Sequence, residues 1–174
     1  IEISSLAASI MFAGIVVDTN NFTYRTRTRT FEAASTLNAM GADIIAVRRM
    51  LRDSMEEEKI LAQALVDAVV YEKKFAIVAE SEDFIFPDRA LLAKVSDKLL
   101  NIEGIETAFT IGKISEDVVG ISARSMDSVN VQIIMEEMEG GGHFNAAATQ
   151  IKGMSVAAAK EKLLEIIKRD YVDT

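Results

Sequence analysis

Residues 118–150 read VVGISARSMDSVNVQIIMEEMEGGGHFNAAATQ, and they hold the strongest structural signals in this chain. The apolar and small residues at 118–123 predict a strand, and the apolar spacing at 129–138 predicts a helix. The three glycines that follow indicate a place where the backbone turns sharply or comes close to another group. A strand, a helix and a glycine-rich turn in succession are typical of an α/β domain.

The same alternation of strands and helices continues on both sides of this stretch. Pro87 and Asp88 mark a helix start, because both residue types are favoured where a helix begins. We predict a compact α/β domain with a mixed sheet at residues 74–174, composed of strands at 75–79, 107–113 and 118–123 and helices at 89–101, 129–138 and 156–169.

A long helix is predicted just before this domain. Ser54 and Glu57 form a Ser-x-x-Glu capping box, and apolar residues recur at helical spacing between positions 60 and 69. We expect this helix to span residues 55–72 and to connect two lobes within the segment 53–73.

Residues 1–52 are predicted to form the end of a parallel-sheet domain. The run Gly-Ile-Val-Val-Asp at 14–18 is almost wholly apolar, which suits a strand buried on both faces of a parallel sheet. Because ligands of such sheets bind beyond the carboxyl ends of the strands, Asp18 is a candidate site residue. Two helices should follow, one at 31–40 with Thr30 as its N-cap and Gly41 past its end, and one at 44–51 after Asp43.

Composition excludes several classes of protein. With 174 residues, 49% of them hydrophobic, the chain can bury a core, and no apolar run approaches the ~20 residues of a membrane helix. The absence of cysteine excludes disulfides and thiolate chemistry. The net charge of -8 opposes a broad surface for long nucleic acids, but it is compatible with a small anionic ligand bound by a few local donors. Because Ile1 opens directly into an apolar, helix-like stretch, we expect the chain to be part of a longer protein.

Gly140, Gly141, Gly142 and His143 form the most informative motif for function. The segment after them, at 144–148, reads as the start of a helix, whose free amides attract anions. Together with the only histidine of the chain, these residues suggest a phosphate site. The alternative is an ordinary loop that closes the preceding helix, with His143 as a polar surface residue, and spacing alone favours that alternative.

A second polar cluster lies at the predicted end of the strand at 118–123. Ser122, Arg124 and Ser125 place a guanidinium and two hydroxyls within a few residues, and Asn130 follows in the first turn of the next helix. Arginine binds phosphate through two parallel hydrogen bonds and keeps its charge at physiological pH. An exposed charge beside a serine that caps a helix explains the same residues equally well.

Taken in order, these segments resemble the DHHA1 domain of DHH-family phosphoesterases. The resemblance rests on residues 120–125, 130–132, 139–143 and 146–150. Upstream, residues 14–19 and 25–35 resemble the last motif of the catalytic DHH domain. The likeness covers nearly the whole chain and is greatest to the GdpP/YybT type, which hydrolyses cyclic-di-AMP.

The resemblance implies roles for individual residues. Asp18 would be a ligand of a two-manganese centre and, with His143, a catalytic residue. The substrate-binding residues would be Ser122, Arg124, Ser125, Asn130, Gly140, Gly141, Gly142 and His143. The two Mn²⁺ ions would generate a nucleophilic hydroxide, and Arg124 and His143 would stabilise the charge that develops on phosphorus.

The chain departs from the family in its metal ligands. The Asp-x-Asp and Asp-His-His motifs of the family are absent, so Asp18 has too few accompanying ligands for a two-metal site. We therefore expect this chain to be the substrate-binding portion of a manganese-dependent phosphodiesterase that converts cyclic-di-AMP to the linear dinucleotide, and to be inactive alone. The resemblance also implies a membrane-anchored parent that carries this part in the cytoplasm, and a homodimer is a further expectation.

Two other functions stay open on the sequence. One is a DHH/DHHA1 nuclease for oligonucleotides or single strands, which shares the same signature but fits the acidic charge less well. The other is a nucleotide-binding or oligomerisation module without catalysis. The expected ligand is cyclic-di-AMP or a short linear dinucleotide, and a long nucleic acid is not expected.

Overall fold

The computed structural model describes residues 3–24 and 26–172. The chain forms two compact units, the first ending at Ser54 and the second beginning at Met55. Arg25, which belongs to the upstream family motif, lies outside the described residues, as do Ile1 and the last two residues.

The first unit consists of three helices, α1 (Ser5–Asp18), α2 (Thr28–Ala39) and α3 (Ile44–Met50). Their small core contains Ala8, Phe12, Leu37 and Val47, all buried. The side-chain oxygen of Asp43 accepts a hydrogen bond from the Ala46 N–H at 2.9 Å, which confirms the predicted start of α3. Helix α2 begins three residues earlier than predicted, and Thr30 lies in its first turn, where its hydroxyl accepts from the Arg27 N–H.

The predicted strand at 14–18 is wrong, because these residues are the last turns of α1. The Ser4 hydroxyl caps the helix by accepting from the Ala7 N–H, and the following 14 residues contain no proline. The β-branched residues Ile15, Val16 and Val17 suggested a strand, but a continuous apolar stretch of this length favours a helix. The helix ends where the Thr19 hydroxyl donates to the Ile15 carbonyl and accepts from the Phe22 N–H.

The second unit is a six-stranded mixed sheet with helices on both faces, which confirms the predicted α/β domain with a mixed sheet. The strands lie in the order β1-β2-β3-β4-β6-β5, and only β2 and β3 are parallel. The elements are α4 (Met55–Asp67), β1 (Val69–Tyr71), β2 (Phe75–Ala79), α5 (Arg89–Leu99), β3 (Thr107–Ser115), β4 (Val118–Ser125), α6 (Val131–Glu137), β5 (Gly141–His143), β6 (Ala146–Lys152) and α7 (Val156–Tyr171).

Side chains alternate between the two faces of the sheet, so each face has its own core. On one face, Phe109, Ile111 and Ile121 are buried together with apolar residues of α6 and α7. On the other face, Ala76 and Val78 are buried together with apolar residues of α4 and α5. The second core includes Leu61 and Ala64 of α4, so the predicted connecting helix packs within the second unit.

Helix α4 ends five residues before the predicted position. Val69, Val70 and Tyr71 form β1 instead, and this strand pairs antiparallel with β2. Glu72 and Lys73 adopt φ angles of 49° and 61° in the turn between the two strands. β-branched and aromatic residues favour strands, and here the pairing with β2 outweighs the helical spacing that continued from α4.

Candidate functional site

The glycine motif forms the outer hairpin of the sheet. Residues 141–143 are β5, residues 146–152 are β6, and Phe144 and Asn145 connect them. The predicted helix start at 144–148 is therefore wrong. The three alanines at 146–148 favour a helix by propensity, but their backbone pairs with β4 on one side and β5 on the other. The candidate site is thus built on strands and has no helix N-terminus at this position.

Two of the three glycines are required by the close approach of the hairpin strands. A Cβ atom on Gly140 would lie 2.3 Å from the Ala148 carbonyl oxygen, and one on Gly142 would lie 2.5 Å from the Ala146 carbonyl oxygen. By contrast, a Cβ atom on Gly141 would meet nothing within 4 Å. The fold therefore explains Gly140 and Gly142, whereas Gly141 leaves open space above the sheet.

The register of β4, β6 and β5 brings the two predicted polar motifs onto one face. Arg124 lies opposite Ala146, and Ala146 lies opposite His143. Residues directly opposite in antiparallel strands project to the same side, so Arg124 and His143 flank Ala146. Their backbones are separated by two strand spacings, about 10 Å. A ligand lying above Ala146 is within reach of both side chains.

The next row on the same face, two residues along each strand, contains only small residues. Ser122 lies opposite Ala148, and Ala148 lies opposite Gly141. Helix α5 covers β3 and β4 on this side, while Ala148, Gln150 and His143 are exposed. We call this surface the open face, defined by Arg124, Gly141, His143, Ala146, Ala148 and Gln150. This surface is flat, with the Arg124 guanidinium at one side and the His143 imidazole at the other.

Arg124 is held in place from one side. Its Nε donates to Asp97 Oδ1 at 3.0 Å, and its Nη1 donates to the Ser122 hydroxyl at 3.3 Å and to the Ala123 carbonyl at 3.0 Å. Its Nη2 has no hydrogen-bond partner among residues 3–24 and 26–172. The guanidinium is therefore oriented by the protein and still has donors to offer to a ligand.

Asp97, on α5, is a site residue that the sequence did not reveal. Burial raises the pKa of its carboxyl, and the neighbouring Arg124 offsets part of that rise. Asp97 lies 27 residues before Arg124, and no local spacing links the two. Only the packing of α5 on β4 brings the pair together.

Ser122 lies beneath the guanidinium and is almost fully buried, with 2% of its surface exposed. Below it, the hydroxyls of Ser96 and Thr110 are 2.8 Å apart, and Ser96 donates to the Ser122 carbonyl at 3.2 Å. These buried hydroxyls join α5 to β3 and β4 directly under Arg124. The predicted contact of Ser122 with substrate stays a prediction, and its hydroxyl already accepts from Arg124.

Ser125 and Asn130 lie away from the open face. The Ser125 hydroxyl is buried, where it accepts from the Val129 N–H at 3.2 Å. The Asn130 side chain caps α6 by accepting from the Gln132 N–H at 3.1 Å. The contacts of both residues are those of structural residues, and their predicted roles in substrate binding stay predictions.

Asn145 fixes the hairpin turn next to these residues. Its Nδ2 donates to the Ser125 carbonyl at 3.1 Å and to the Asp127 carboxylate. Its own carbonyl accepts from the Ser125 N–H at 2.9 Å. The only sequence signal for this role is an asparagine beside a turn, which is too common to identify it.

Asp18 lies in the first unit, at the exposed C-terminal end of α1. Within residues 3–24 and 26–172, no three His, Cys, Asp or Glu side chains form a group that could hold a metal ion. The donors present here do not fit a two-metal centre, so the manganese site and the catalytic role of Asp18 stay predictions about a longer protein.

No helix in the described part of the chain is both long and apolar enough to cross a membrane.

Comparison with known proteins agrees with this architecture. Residues 73–171 match the DHHA1 domain family. The chain is 43% identical to a membrane protein-large ribosomal subunit bL9 fusion protein of Aster yellows witches'-broom phytoplasma, over 98% of the chain and 20% of that protein. It is 42% identical to the cyclic-di-AMP phosphodiesterase GdpP of Bacillus subtilis, over 96% of the chain and 26% of that protein. The chain thus spans about a quarter or less of the length of these relatives.

A solved structure shows the same fold. An exopolyphosphatase-related protein from Bacteroides fragilis superposes with a TM-score of 0.80 at 23% identity, over 96% of this chain and 52% of that one. Both the family match and the shared architecture cover the sheet that carries the open face. The chain belongs to the DHHA1 domain family.

Proposed function

We propose that this chain is the substrate-binding portion of a phosphodiesterase that hydrolyses cyclic-di-AMP to the linear dinucleotide. The relative from Bacillus subtilis, 42% identical, is named a cyclic-di-AMP phosphodiesterase. The observation that carries the proposal is the row Arg124, Ala146 and His143, which places two potential phosphate donors on either side of a small residue.

The chemistry of this row suits a phosphodiester. The free Nη2 of Arg124 gives a charge-assisted hydrogen bond to a phosphate oxygen, and such bonds are the strong ones in phosphate recognition. Gly141 lets a bulky ligand approach the backbone of β5, because no side chain occupies that space. In the proposed complex, His143 donates a second hydrogen bond from the opposite side, so the phosphate lies above Ala146.

Hydrolysis would take place in a longer protein. We propose that such a protein depends on manganese, that Asp18 is one of the ligands, and that it is anchored in the membrane with this part in the cytoplasm. The metal ligands among the described residues are too few for such a site. We therefore expect no manganese-dependent hydrolysis of cyclic-di-AMP by the 174-residue chain; turnover by the purified chain would contradict this.

The binding role is tested by isothermal titration calorimetry of the full chain with cyclic-di-AMP and with the linear dinucleotide. Replacing Arg124 by alanine should weaken binding about 10- to 150-fold, because a hydrogen bond to a charged group contributes ~1.5–3 kcal/mol. Arg124→Lys keeps the charge but loses the planar pair of N–H donors. We therefore expect its affinity to lie between that of the wild type and that of Arg124→Ala.

Two controls make the result specific. Arg48→Ala removes an exposed arginine of α3, far from the open face in sequence, and should leave binding unchanged. The double variant Asp97→Asn/Arg124→Ala excludes repulsion from an unpaired Asp97 as the cause of the loss. If Arg124→Ala binds both dinucleotides as tightly as the wild type, the proposed role of the open face is wrong.

A further inference from the structure

A depression of about 450 Å³ lies at the far end of the open face from Arg124. Its lining residues are Pro87, Asp88, Arg89, Ile114, Ser115, Val118 and Gln150. A volume of this size is within the range of small-molecule sites, which combine apolar walls with a few polar groups. We call it the Gln150 pocket.

The Gln150 pocket is continuous with the open face through β6. Gln150 is four residues from Ala146 and projects to the same side, about 13 Å along the strand. Gly120 lies opposite Gln150, and a Cβ atom there would come within 3.0 Å of Ile114. The absence of a side chain at Gly120 lets Ile114 lie low over β4, where it forms one wall of the pocket.

Two polar side chains of the pocket, Gln150 and Arg89, are available to a ligand. Neither the Gln150 carboxamide nor the Arg89 guanidinium has a hydrogen bond or ion pair within the part of the chain that the structure describes. A glutamine carboxamide pairs with adenine through two hydrogen bonds, accepting from N6 and donating to N7. Guanine presents two acceptors on that edge, N7 and O6, so the same carboxamide cannot satisfy both with matched hydrogen bonds.

We propose that the Gln150 pocket binds an adenine base of the nucleotide whose phosphate lies between Arg124 and His143, and that Gln150 reads the N6 and N7 edge of that base. The apolar side chains of Pro87, Ile114 and Val118 cover the faces of the ring, and Arg89 lies at the rim. About 13 Å along β6 separates Ala146 from Gln150, and the sugar would lie between the proposed phosphate and base positions. This inference rests on the proposed function, because the phosphate site fixes one end of the ligand.

The test uses the full chain and calorimetric titration with cyclic-di-AMP and cyclic-di-GMP. Gln150→Leu keeps the size of the side chain and removes its hydrogen bonds. Gln150 is exposed, so the variant should unfold at the temperature of the wild type. We expect it to bind cyclic-di-AMP about 5- to 150-fold more weakly, with little change for cyclic-di-GMP. Gln63→Leu, at an exposed position of α4, is the matched control and should change neither affinity.

Ribose 5-phosphate, which lacks a base, is the ligand control. In an NMR titration, ribose 5-phosphate should bind the wild type and Gln150→Leu with the same affinity. It should bind Arg124→Ala more weakly. If Arg124→Ala weakens dinucleotide binding but Gln150→Leu does not, the base-binding subsite is wrong and the phosphate site stands. If Gln150→Leu loses affinity equally for cyclic-di-AMP and cyclic-di-GMP, the proposal that Gln150 recognises the N6 and N7 edge of adenine is wrong. If neither variant changes binding, the proposed function fails and the subsite fails with it.

Discussion

The partly buried carboxyl of Asp97 orients the neighbouring Arg124 guanidinium at a cost to stability. Burial disfavours its charged form, and the raised pKa shows that the attraction of Arg124 does not fully offset this. The carboxylate nevertheless accepts from Arg124 Nε, which fixes the direction of the guanidinium. We infer that the orientation of Arg124 is maintained at the expense of some folding free energy.

The raised pKa of Asp97 predicts that the stability of the protein depends on pH. Because the folded-state pKa of Asp97 is above the unfolded value of ~3.9, the folded state binds the proton more tightly. The contribution of Asp97 to the free energy of unfolding is therefore greatest below its pKa in the unfolded state, and it decreases as pH rises through its pKa in the folded state. Asp97→Asn removes this titration, so the free energy of unfolding of the variant, relative to wild type, should increase between pH 4 and pH 7.

Urea unfolding of both proteins at three pH values in that interval measures this difference. Asp83→Asn, the same substitution at an exposed position, is the matched control. A relative stability of Asp97→Asn that falls as pH rises would show that the attraction of Arg124, and not burial, dominates at Asp97.

The three consecutive glycines predict two different outcomes on substitution by alanine. Gly140→Ala and Gly142→Ala force a methyl group against backbone carbonyls, so each should destabilise the fold by ~1–3 kcal/mol. Gly141→Ala has open space and should retain the wild-type melting temperature within a few degrees. On the proposed site it should nevertheless weaken dinucleotide binding about tenfold, the effect of ~1.4 kcal/mol.

Thermal unfolding and calorimetry of the three variants separate the structural glycines from the one that the ligand requires. A Gly141→Ala protein as unstable as Gly140→Ala would contradict the described hairpin geometry. A stable Gly141→Ala protein with wild-type affinity would place the ligand elsewhere.

At the scale of elements, α5 is joined to the sheet by hydroxyl groups as well as by its apolar residues. Ser96 and Thr110 are both fully buried, their hydroxyls are hydrogen-bonded to each other, and Ser96 also donates to the Ser122 carbonyl. Ser96→Ala leaves the Thr110 hydroxyl without this partner and should cost ~1–3 kcal/mol of stability. Thr110→Val should cost less, because the Ser96 hydroxyl keeps its hydrogen bond to the Ser122 carbonyl.

The double variant Ser96→Ala/Thr110→Val should cost less than the sum of the two single variants, because no buried hydroxyl is left without its partner. A double-mutant cycle by urea unfolding measures the coupling, for which we expect ~0.5–1.5 kcal/mol. Simple additivity would show that the two hydroxyls do not interact in solution.

The sequence predicted most elements of the second unit because their signals are local. Asp88 caps α5 by accepting from the Leu91 N–H at 2.7 Å, and the strands at 75–79, 107–113 and 118–123 are all present. The failures arose where the local preference differs from the final structure. Residues 15–17 are β-branched in a helix, residues 69–71 continue a helical spacing but form β1, and residues 146–148 are alanines in a strand.

The candidate site was predictable only in part, for a similar reason. Arg124 and His143 were predicted from their motifs, and the sheet register places both beside Ala146 on one side of the sheet. Asp97 and Asn145 reach the site through contacts between residues distant in sequence. Such contacts depend on tertiary packing, which composition and spacing do not encode.

At the scale of the molecule, all residues of the open face and of the Gln150 pocket belong to the second unit. Both cores of that unit are also formed within residues 55–174. We therefore predict that residues 55–174, expressed alone, fold cooperatively and bind cyclic-di-AMP within about threefold of the affinity of the full chain, a difference of less than ~1 kcal/mol.

Circular dichroism and calorimetry of this fragment test the prediction. Arg124→Ala in the same fragment serves as the control for specific binding. A folded fragment that does not bind cyclic-di-AMP would show that the first unit contributes to binding. An unfolded fragment would show that the second unit does not fold independently.

Ala148 has a further consequence for how this protein can change in evolution. The side chain is exposed on the open face, between Ser122 and Gly141, and takes no part in either core. A single base change in an alanine codon gives valine, which suits a strand and adds two methyl groups where the ligand would lie. A population could therefore lose this ligand in one mutational step while every cell continues to accumulate the folded protein. Such an allele would escape detection by protein abundance and would be found only by a binding assay.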